Sequence, residues 1–458
     1  MKNQIRKTIR SFQTTLNAIA NRIAFATLIT LFLLNGLMSA QSATTQFVTF
    51  RDFIDQTTTA DAGDYLARPG SQVKDAAAFE EMRQHILSLY QGVEVNHSFM
   101  VGSQHFDCVP IMQQPAVRKY GLKEIATPPP PPPGSSAASK RDLQRDPQHP
   151  FDAFGNYQYC EDQTVPMQRI TMDTMTHFET LRHFLQKSPN EHLPGHNEKA
   201  DPMTASHKYS YTQQIVNNGG GNSNLNVWNP YVNTSEGEIF SLSQEWYVGG
   251  IYSKAPPCGG TESCAIQTEE VGWIVYPDHF GDSNTHFFIF STPDGYASGC
   301  YDDECGDFVI YQDGGLLGAT ISPISVWKGA QYEIQAQYIL QNGNWWVWAG
   351  GNYIGYYPNA MYGGGQNSKY AQEIQFGTEG VGSGIWPQEG SGTWPKYGWT
   401  YAAYQRYLLY YDLSGDGHPD SLTPEIPSPN CYSINGPYTG TGKWSVYFYE
   451  GGPGGTGC

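Results

Sequence analysis

The downstream half of this chain consists of short aromatic and β-branched runs separated by glycine-rich turns. All 11 tryptophans follow residue 227. The runs recur about every 10–15 residues, the spacing expected of short strands joined by tight turns. Clear examples lie at 240–248, 286–290, 308–311, 332–339 and 345–348. Because no convincing helix interrupts them, the pattern predicts an all-β fold, an antiparallel two-sheet β-sandwich.

The upstream half has a different composition, and the change falls near residues 200–207. Apolar residues at three-to-four spacing predict amphipathic helices at about 74–91 and 171–187. The intervening segment 127–150 contains a run of prolines and reads as a disordered or polyproline linker. The β-sandwich is therefore preceded by a mixed, partly helical region.

The N-terminus has the pattern of a secretory signal peptide. Residues 1–43 contain five basic residues and no acidic residue, and an apolar stretch occupies 24–34. Small residues follow at 39–43, which predicts cleavage near 40–43 and a secreted protein, extracellular or periplasmic. An uncleaved membrane anchor is the alternative, although the apolar run is short for a span.

The chain is strongly acidic, with a formal net charge of −17 at pH 7. Removal of the five positive charges of residues 1–43 would leave about −22 on the exported protein. Such a surface repels nucleic acid and anionic membranes, so we expect neither as a stable partner. At acid pH its carboxylates become protonated and the self-repulsion falls, which favours work in an acid medium.

Eight cysteines in an exported chain indicate disulfide bonds. By position, three local couples stand out: Cys258 with Cys264, Cys300 with Cys305, and Cys431 with Cys458. Cys108 and Cys160 remain as an upstream couple. Position alone leaves the connectivity open.

Two strand-like runs each carry an unneutralised glutamate, Glu270 and Glu379, among aromatic, aliphatic and glycine residues. A carboxylate in such a run is costly unless it is paired or performs chemistry. In the first run, strand alternation places Glu269 on the face opposite to Glu270. Two carboxyls from different strands can act as general acid and general base. The alternative is a pair of solvent-facing strand glutamates without chemistry.

A series of segments resembles the neprosin family of secreted glutamic peptidases. Within residues 207–458, one carries Glu-Val-Gly-Trp at 270–273 and another Phe-Gly-Thr-Glu at 376–379. The remaining matching segments of this part lie at 226–230, 240–244, 276–282, 295–301 with Cys305, 321–325, 382–384, 387–390 and 451–453. Upstream, 106–116 is similar to the family's activation-peptide signature and 165–171 to the segment preceding its catalytic domain. The order of so many segments makes the resemblance specific.

The resemblance implies a glutamic endopeptidase with catalytic residues Glu270 and Glu379 and no catalytic cofactor. It further implies acid activity, self-removal of a pro-region and, in many members, cleavage after proline. Gln375 stands where plant relatives commonly have an acid, and Thr378 replaces a glycine, which bears on the specificity for proline.

The expected organisation is a signal peptide (1–43), a pro-region (44–126), a linker (127–150), a second part of the pro-region with a connector (151–206), and a catalytic domain (207–458).

A separate acidic loop predicts a structural calcium ion. Asp412, Ser414, Asp416 and Asp420 match the first part of an EF-hand-like loop, with oxygen ligands at alternating positions. The glutamate usual at the twelfth position is missing, since Thr423 stands there. An acidic turn without metal is the alternative.

We therefore expect a monomeric peptidase that acts on peptides or proteins. Two alternatives remain open from the sequence. A lectin-like sandwich would bind carbohydrate without using the glutamates for catalysis, and a glycosidase would use two carboxylates on sugars.

Overall fold

The computed structural model describes residues 46–132, 151–187, 205–250, 266–311 and 317–458. Its contacts divide the chain into Met1–Gln46 and one compact unit, Phe47–Cys458, and the second unit is the subject below. The predicted signal peptide and the couple Cys258–Cys264 lie outside the described residues. Within those residues, no helix is both long and apolar enough to span a membrane.

The upstream region combines short helices with a small antiparallel sheet. The helices are α1 (Phe50–Thr59), α2 (Ala62–Leu66), α3 (Ala76–Leu89), α4 (Pro115–Lys119), α5 (Met172–Met175) and α6 (Leu181–Leu185). The sheet contains β1 (Ser98–Val101), β2 (Gln104–Pro110) and β3 (Thr164–Gln168), in that order. The helix predicted at 74–91 is confirmed as α3. Asp75 caps it by accepting a hydrogen bond from the Ala78 N–H, and its apolar face is buried.

The single helix predicted at 171–187 is wrong, because two one-turn helices occupy that segment. Thr171 and Thr180 each cap one of them through the side-chain oxygen. Between the two helices, Phe178 is buried and packs edge-on against Tyr276, at a centroid separation of 6.1 Å. Because the Thr180 cap begins a second helix, the apolar spacing reflects two short helices rather than one.

Downstream, two antiparallel sheets carry the chain. The first sheet contains β4 (Ser206–Asn218), β6 (Glu238–Gly249), β7 (Gln267–Val275), β8 (His286–Thr292), β9 (Cys300–Tyr301), β14 (Ala371–Gly382) and β17 (Thr423–Glu425), in the order β17-β4-β14-β6-β7-β8-β9. The one-turn helix α7 (Pro277–Phe280) follows β7. We call this sheet the seven-stranded sheet. The strands predicted at 240–248 and 286–290 are confirmed within it.

The second, nine-stranded sheet covers one face of the first. It contains β5 (Gly220–Asn226), β10 (Val309–Ile310), β11 (Glu333–Gln341), β12 (Asn344–Ala349), β13 (Asn352–Tyr357), β15 (Ala403–Tyr411), β16 (Gly417–Pro419), β18 (Ser433–Thr439) and β19 (Val446–Gly451). The order is β10-β13-β12-β11-β5-β15-β19-β18, and β16 pairs with β15. The strands predicted at 308–311, 332–339 and 345–348 lie here, so the predicted β-sandwich is confirmed.

Aromatic side chains fill the space between the sheets. Tyr247 of the seven-stranded sheet contacts Tyr338 and Trp345 of the nine-stranded sheet, at centroid separations of 5.5 and 5.9 Å. All three are fully buried. Burial of such large rings contributes much of the stability of the sandwich. Odd-numbered positions of β6 therefore face inward, and the even-numbered ones face away from the nine-stranded sheet.

The upstream region packs directly on the sandwich. The Gln114 side chain exchanges hydrogen bonds with the backbone of Ile310, at 2.7 and 2.8 Å, in the manner of an added strand residue. Residues at the start of the predicted linker also contact the sandwich, since the Tyr353 hydroxyl donates to the Pro130 carbonyl at 2.9 Å. A further contact comes from α6, whose Phe184 ring stacks on that of His279 in α7, with centroids 4.8 Å apart.

Candidate active site

Glu270 and Glu379 lie on one face of the seven-stranded sheet. Strand β6 runs between β7 and β14, and its residues opposite the two glutamates are Trp246 and Leu242. Because both opposing residues occupy even positions of β6, both glutamates point away from the nine-stranded sheet. Residues 109 positions apart in the sequence are thus brought into one site.

A lysine from the upstream region lies between the two carboxylates. The ammonium group of Lys187, two residues after α6, donates to Oε2 of Glu270 and to Oε2 of Glu379, the second at 2.9 Å. The three side chains are almost wholly buried, with 2% or less of each exposed. A buried cation touching two buried anions is a closed arrangement that excludes any substrate from the pair.

The charges in this group fix its protonation. Burial alone would raise the pKa of Glu379, but the neighbouring Lys187 and His207 lower it to about 2. For Lys187, burial acts to lower the pKa, and the two carboxylates outweigh it, so the pKa is raised. In this state Lys187 is charged and Glu379 is ionised.

Each glutamate also has a second set of partners. Oε1 of Glu270 accepts from the Tyr296 hydroxyl at 2.8 Å and from the Thr268 hydroxyl at 2.9 Å. On the other side, Oε1 of Glu379 contacts Nδ1 of His207, and Oε2 lies 3.4 Å from Nε2 of Gln244. The pair is therefore oriented by hydroxyl groups on one side and by an imidazole on the other.

Two glycines lie between the glutamates on the sheet. Gly272 and Gly377 share a rung of the sheet with Gln244, between the rungs of Glu270 and Glu379. A Cβ at Gly272 would lie 2.0 Å from the Ser243 carbonyl oxygen, and one at Gly377 would lie 2.3 Å from that of Ser210. Both positions therefore require glycine, because the backbone of the adjacent strand occupies the space of a side chain.

The neighbouring acids occupy other places. Glu269 turns inward, where its carboxylate accepts from Asn367 at 2.7 Å, as strand alternation predicts. Glu389 is also interior and accepts from the Thr378 hydroxyl. Glu373 shares the face of Glu379 but contacts Gln375 instead, at 2.7 Å. Among the described residues, Lys187 forms ion pairs with Glu270 and Glu379 but not with Glu269, Glu373 or Glu389.

Sequence reasoning missed Lys187, His207, Gln244, Thr268 and Tyr296. Lys187 was the last residue of the helix predicted at 171–187, and Gln244 closed a segment that resembles the neprosin family. Nothing in their own neighbourhoods marks them as partners of the glutamates. Pairing of distant strands brings them together, and a single sequence does not show that pairing.

The predicted calcium loop forms a hydrogen-bonded hairpin turn between β15 and β16. Oδ1 of Asp412 accepts from the backbone of Ser414 at 2.8 Å and of Asp416 at 3.1 Å, while Oδ2 contacts Nε2 of His418 at 2.8 Å. Asp420 lies at the end of the loop and is buried. The oxygens of Asp412 are thus already engaged, and these residues do not present a ready ligand set, so the calcium ion stays a prediction.

Disulfides agree with the positional couples wherever the structure describes them. Cys108 is bonded to Cys160, Cys300 to Cys305 and Cys431 to Cys458. Among the described residues, one group of three possible metal ligands clusters, namely Cys300, Cys305 and Asp307. Since both of its sulfurs are in a disulfide, this group does not offer a metal site.

Comparison with known proteins gives one family and several structures. Residues 237–453 match the family model named Neprosin, and the match includes Glu270 and Glu379. Among solved structures, scytalido-glutamic peptidase with a peptide-based transition state analog is similar at 9% identity and a TM-score of 0.30, covering 54% of this chain and 98% of that chain. SCP-B, a member of the eqolisin family of peptidases, is similar at 8% identity and a TM-score of 0.29, covering 54% of this chain and 98% of that chain. CG-16, a homodimeric agglutinin from chicken liver, is similar at 13% identity and a TM-score of 0.17, covering 38% of this chain and 92% of that chain.

Proposed function

We propose that the chain, whose residues 237–453 match the Neprosin family model, is a glutamic peptidase of that family, an endopeptidase zymogen whose catalytic residues are Glu270 and Glu379. The contact of one buried Lys187 ammonium with both carboxylates carries the proposal. Such a contact needs two carboxylates that converge on one point. Without the lysine, the same point would hold a water molecule within reach of both.

The reaction of this pair is peptide-bond hydrolysis. One carboxylate removes a proton from the water, whose oxygen attacks the carbonyl carbon of the scissile bond. The other carboxyl gives a proton to the departing amine nitrogen. Proteins or peptides are the substrates.

In the zymogen, the upstream region acts as a pro-region that blocks the site. Phe184 of α6 stacks on His279 of α7, with ring centroids 4.8 Å apart and planes 11° from parallel. This stacking brings the chain to Lys187, whose ammonium group then occupies the point between Glu270 and Glu379. Cleavage within the connector predicted at 188–206 would separate Lys187 from the catalytic domain and expose the glutamates.

We propose that the mature enzyme works in an acid medium. Several carboxyls of the sandwich are fully buried, and burial raises the pKa of Glu450 to about 8 and that of Asp303 to about 7. Such groups are neutral at acid pH, so the folded enzyme does not bury a charge at these positions there. Acid activity, secretion through the signal peptide at 1–43, and operation without a catalytic cofactor are parts of the same proposal.

The walls of the site support cleavage after proline. The Lys187 ammonium lies 5.3 Å from the ring centroid of Trp246 and 5.9 Å from that of Phe290. Once the lysine leaves, these two rings flank the space it occupied. Aromatic surfaces of this kind pack against a compact apolar ring such as the pyrrolidine of proline.

The test is a set of glutamine variants assayed on a proline-containing peptide library at acid pH. We expect Glu270→Gln and Glu379→Gln each to lose about 10²–10⁴-fold in activity while the fold is kept. Glu373→Gln is the matched control, because Glu373 shares the strand and face of Glu379 without contacting Lys187. Full activity in either catalytic variant would refute the assignment. Hydrolysis of oligosaccharides, or their retention without hydrolysis, would instead indicate a glycosidase or a lectin.

A further inference from the structure

The partners that remain after the pro-region leaves differ in charge between the two glutamates. Glu270 keeps the hydroxyl groups of Tyr296 and Thr268, which are neutral donors. Glu379 keeps the imidazole of His207 and the amide of Gln244. Of these four partners, only His207 can carry a positive charge at acid pH. The site therefore becomes electrically asymmetric once Lys187 has left it.

The fold fixes His207 in this position. It lies near the start of β4, paired with Val381 of β14, two residues beyond Glu379 and on the same face. Its ring stacks on Tyr209 with centroids 5.8 Å apart and packs edge-on against Phe240 at 6.3 Å. Only 8% of the side chain is exposed. His207 precedes the residues that match the family model, 237–453, so the comparison does not assign it.

We propose that His207 is a positioning residue that keeps Glu379 ionised as the general base and thereby leaves Glu270 as the general acid. The proposal rests on the proposed two-glutamate mechanism and divides the work within it. A cation in hydrogen-bond contact favours the charged form of a carboxyl more strongly than neutral hydroxyl groups do. When a single proton is shared between the two carboxyls, Glu270 is the one that holds it.

The Glu379 carboxylate accepts a proton from water, the water oxygen forms a bond to the carbonyl carbon, and the carbonyl π electrons move onto its oxygen. When that oxyanion collapses, the C–N bond breaks with its electron pair going to nitrogen, which takes the proton of Glu270. The products are a carboxylic acid and an amine. Glu379 is left protonated and Glu270 ionised, and exchange with solvent resets both.

The charged and titratable groups around Glu379 support this division. In the zymogen, Lys187 and His207 together lower the pKa of Glu379 to about 2 against the effect of burial. Burial is the main cause of the raised pKa of Glu389 and of Tyr301, and the nearby charge of Glu379 raises both pKa values further. After Lys187 has left, His207 is the remaining cation of this group that contacts Glu379.

The test is the pH profile of kcat/KM of the processed enzyme. In His207→Asn, the amide keeps a donor without the charge, so the acid limb should move up by about one pH unit, a loss of about tenfold on that limb. Tyr296→Phe removes a hydroxyl group that donates a hydrogen bond to the ionised form of Glu270. Glu270 then holds its proton to higher pH, so the alkaline limb should move up instead. Lys208→Met, a neighbour whose ammonium lies over Trp386, should move neither limb.

The outcomes separate this inference from the proposed function. If Tyr296→Phe moves the acid limb and His207→Asn the alkaline limb, the two roles are reversed and the inference is wrong. Unmoved limbs in an active His207→Asn enzyme would also overturn it. Tyr296→Phe carries the test alone if His207→Asn does not fold. A wild-type chain without peptidase activity would contradict the proposed function itself.

Discussion

The ammonium group of Lys187 lies 2.9 Å from Oε2 of Glu379, and both side chains are buried. The two residues belong to different parts of the chain, the proposed pro-region and the proposed catalytic domain. Their contact therefore holds the two parts together while it occupies the proposed catalytic point. In the proposed zymogen, docking of the pro-region and blocking of the site are therefore one event.

Replacement of Lys187 should release the pro-region prematurely. Lys187→Met removes the cation that both buried carboxylates contact, which costs about 3–5 kcal/mol in the docked state. We expect self-processing at neutral pH, seen as early truncation on gels. The matched control is Lys119→Met, since Lys119 also pairs with a downstream acid, Asp307, at 2.6 Å, but its side chain is 47% exposed. Because this lysine is half exposed and Asp307 keeps a hydrogen bond from the Tyr120 hydroxyl, the pair contributes little, so this variant should process as the wild type does.

Processing should also depend on pH through Glu379. Its pKa is about 2 in the docked state, against 4.5 for an ordinary glutamate. A lowered pKa stabilises the docked state above pH 4.5, and that contribution is lost as the pH falls towards 2. Wild-type processing should therefore accelerate below pH 4.5, whereas Lys187→Met should lack this acceleration. Equal profiles for the two proteins, measured as truncation rate against pH, would contradict the role of the lysine.

The sandwich should be more stable in acid than at neutral pH. Glu450 is fully buried, accepts from Ser243 at 2.7 Å and from Gln405 at 3.3 Å, and has a pKa of about 8. A raised pKa stabilises the fold below pH 4.5 and loses that contribution as the pH rises to 8, at about 1.4 kcal/mol per pH unit. Denaturant unfolding from pH 5 to 8 should show the decline. Glu450→Gln should reduce its slope, and parallel curves would count against the assignment.

A buried ion pair should hold the pro-region together. Nε of Arg169 donates to Asp107 at 2.9 Å, and its guanidinium also donates to the Val48 carbonyl at 2.7 Å. Arg169→Met would leave the Asp107 charge buried alone, at a cost of about 3–5 kcal/mol. We expect rapid proteolysis of the pro-region in that variant. The control is Arg68→Met, which breaks an exposed ion pair with Asp173. Equally rapid proteolysis of the pro-region in this control would argue against a special role for Arg169.

The sequence predicted most of the sandwich and the identity of the two glutamates. Strands rich in aromatic residues, such as β6 and β12, are visible because alternation and burial coincide. Strand β4 was not singled out, because polar residues fill much of Ser206–Asn218, and with it His207 was missed. The helix at 171–187 was predicted as one element, since apolar spacing does not reveal a break that the Thr180 cap creates. Lys187 became visible only when the pro-region was placed on the sheet.

The disulfide between Cys108 and Cys160 joins two segments that both lie upstream of the predicted connector. With the β1–β3 sheet, it holds these segments of the pro-region together. A cut within the connector, all of which lies beyond Lys187, would release one fragment that still carries this lysine. Each enzyme molecule would then enter solution with one equivalent of a competitor for its own cleft. Activity after processing would depend on dilution as well as on acidity, and would rise where the two fragments drift apart.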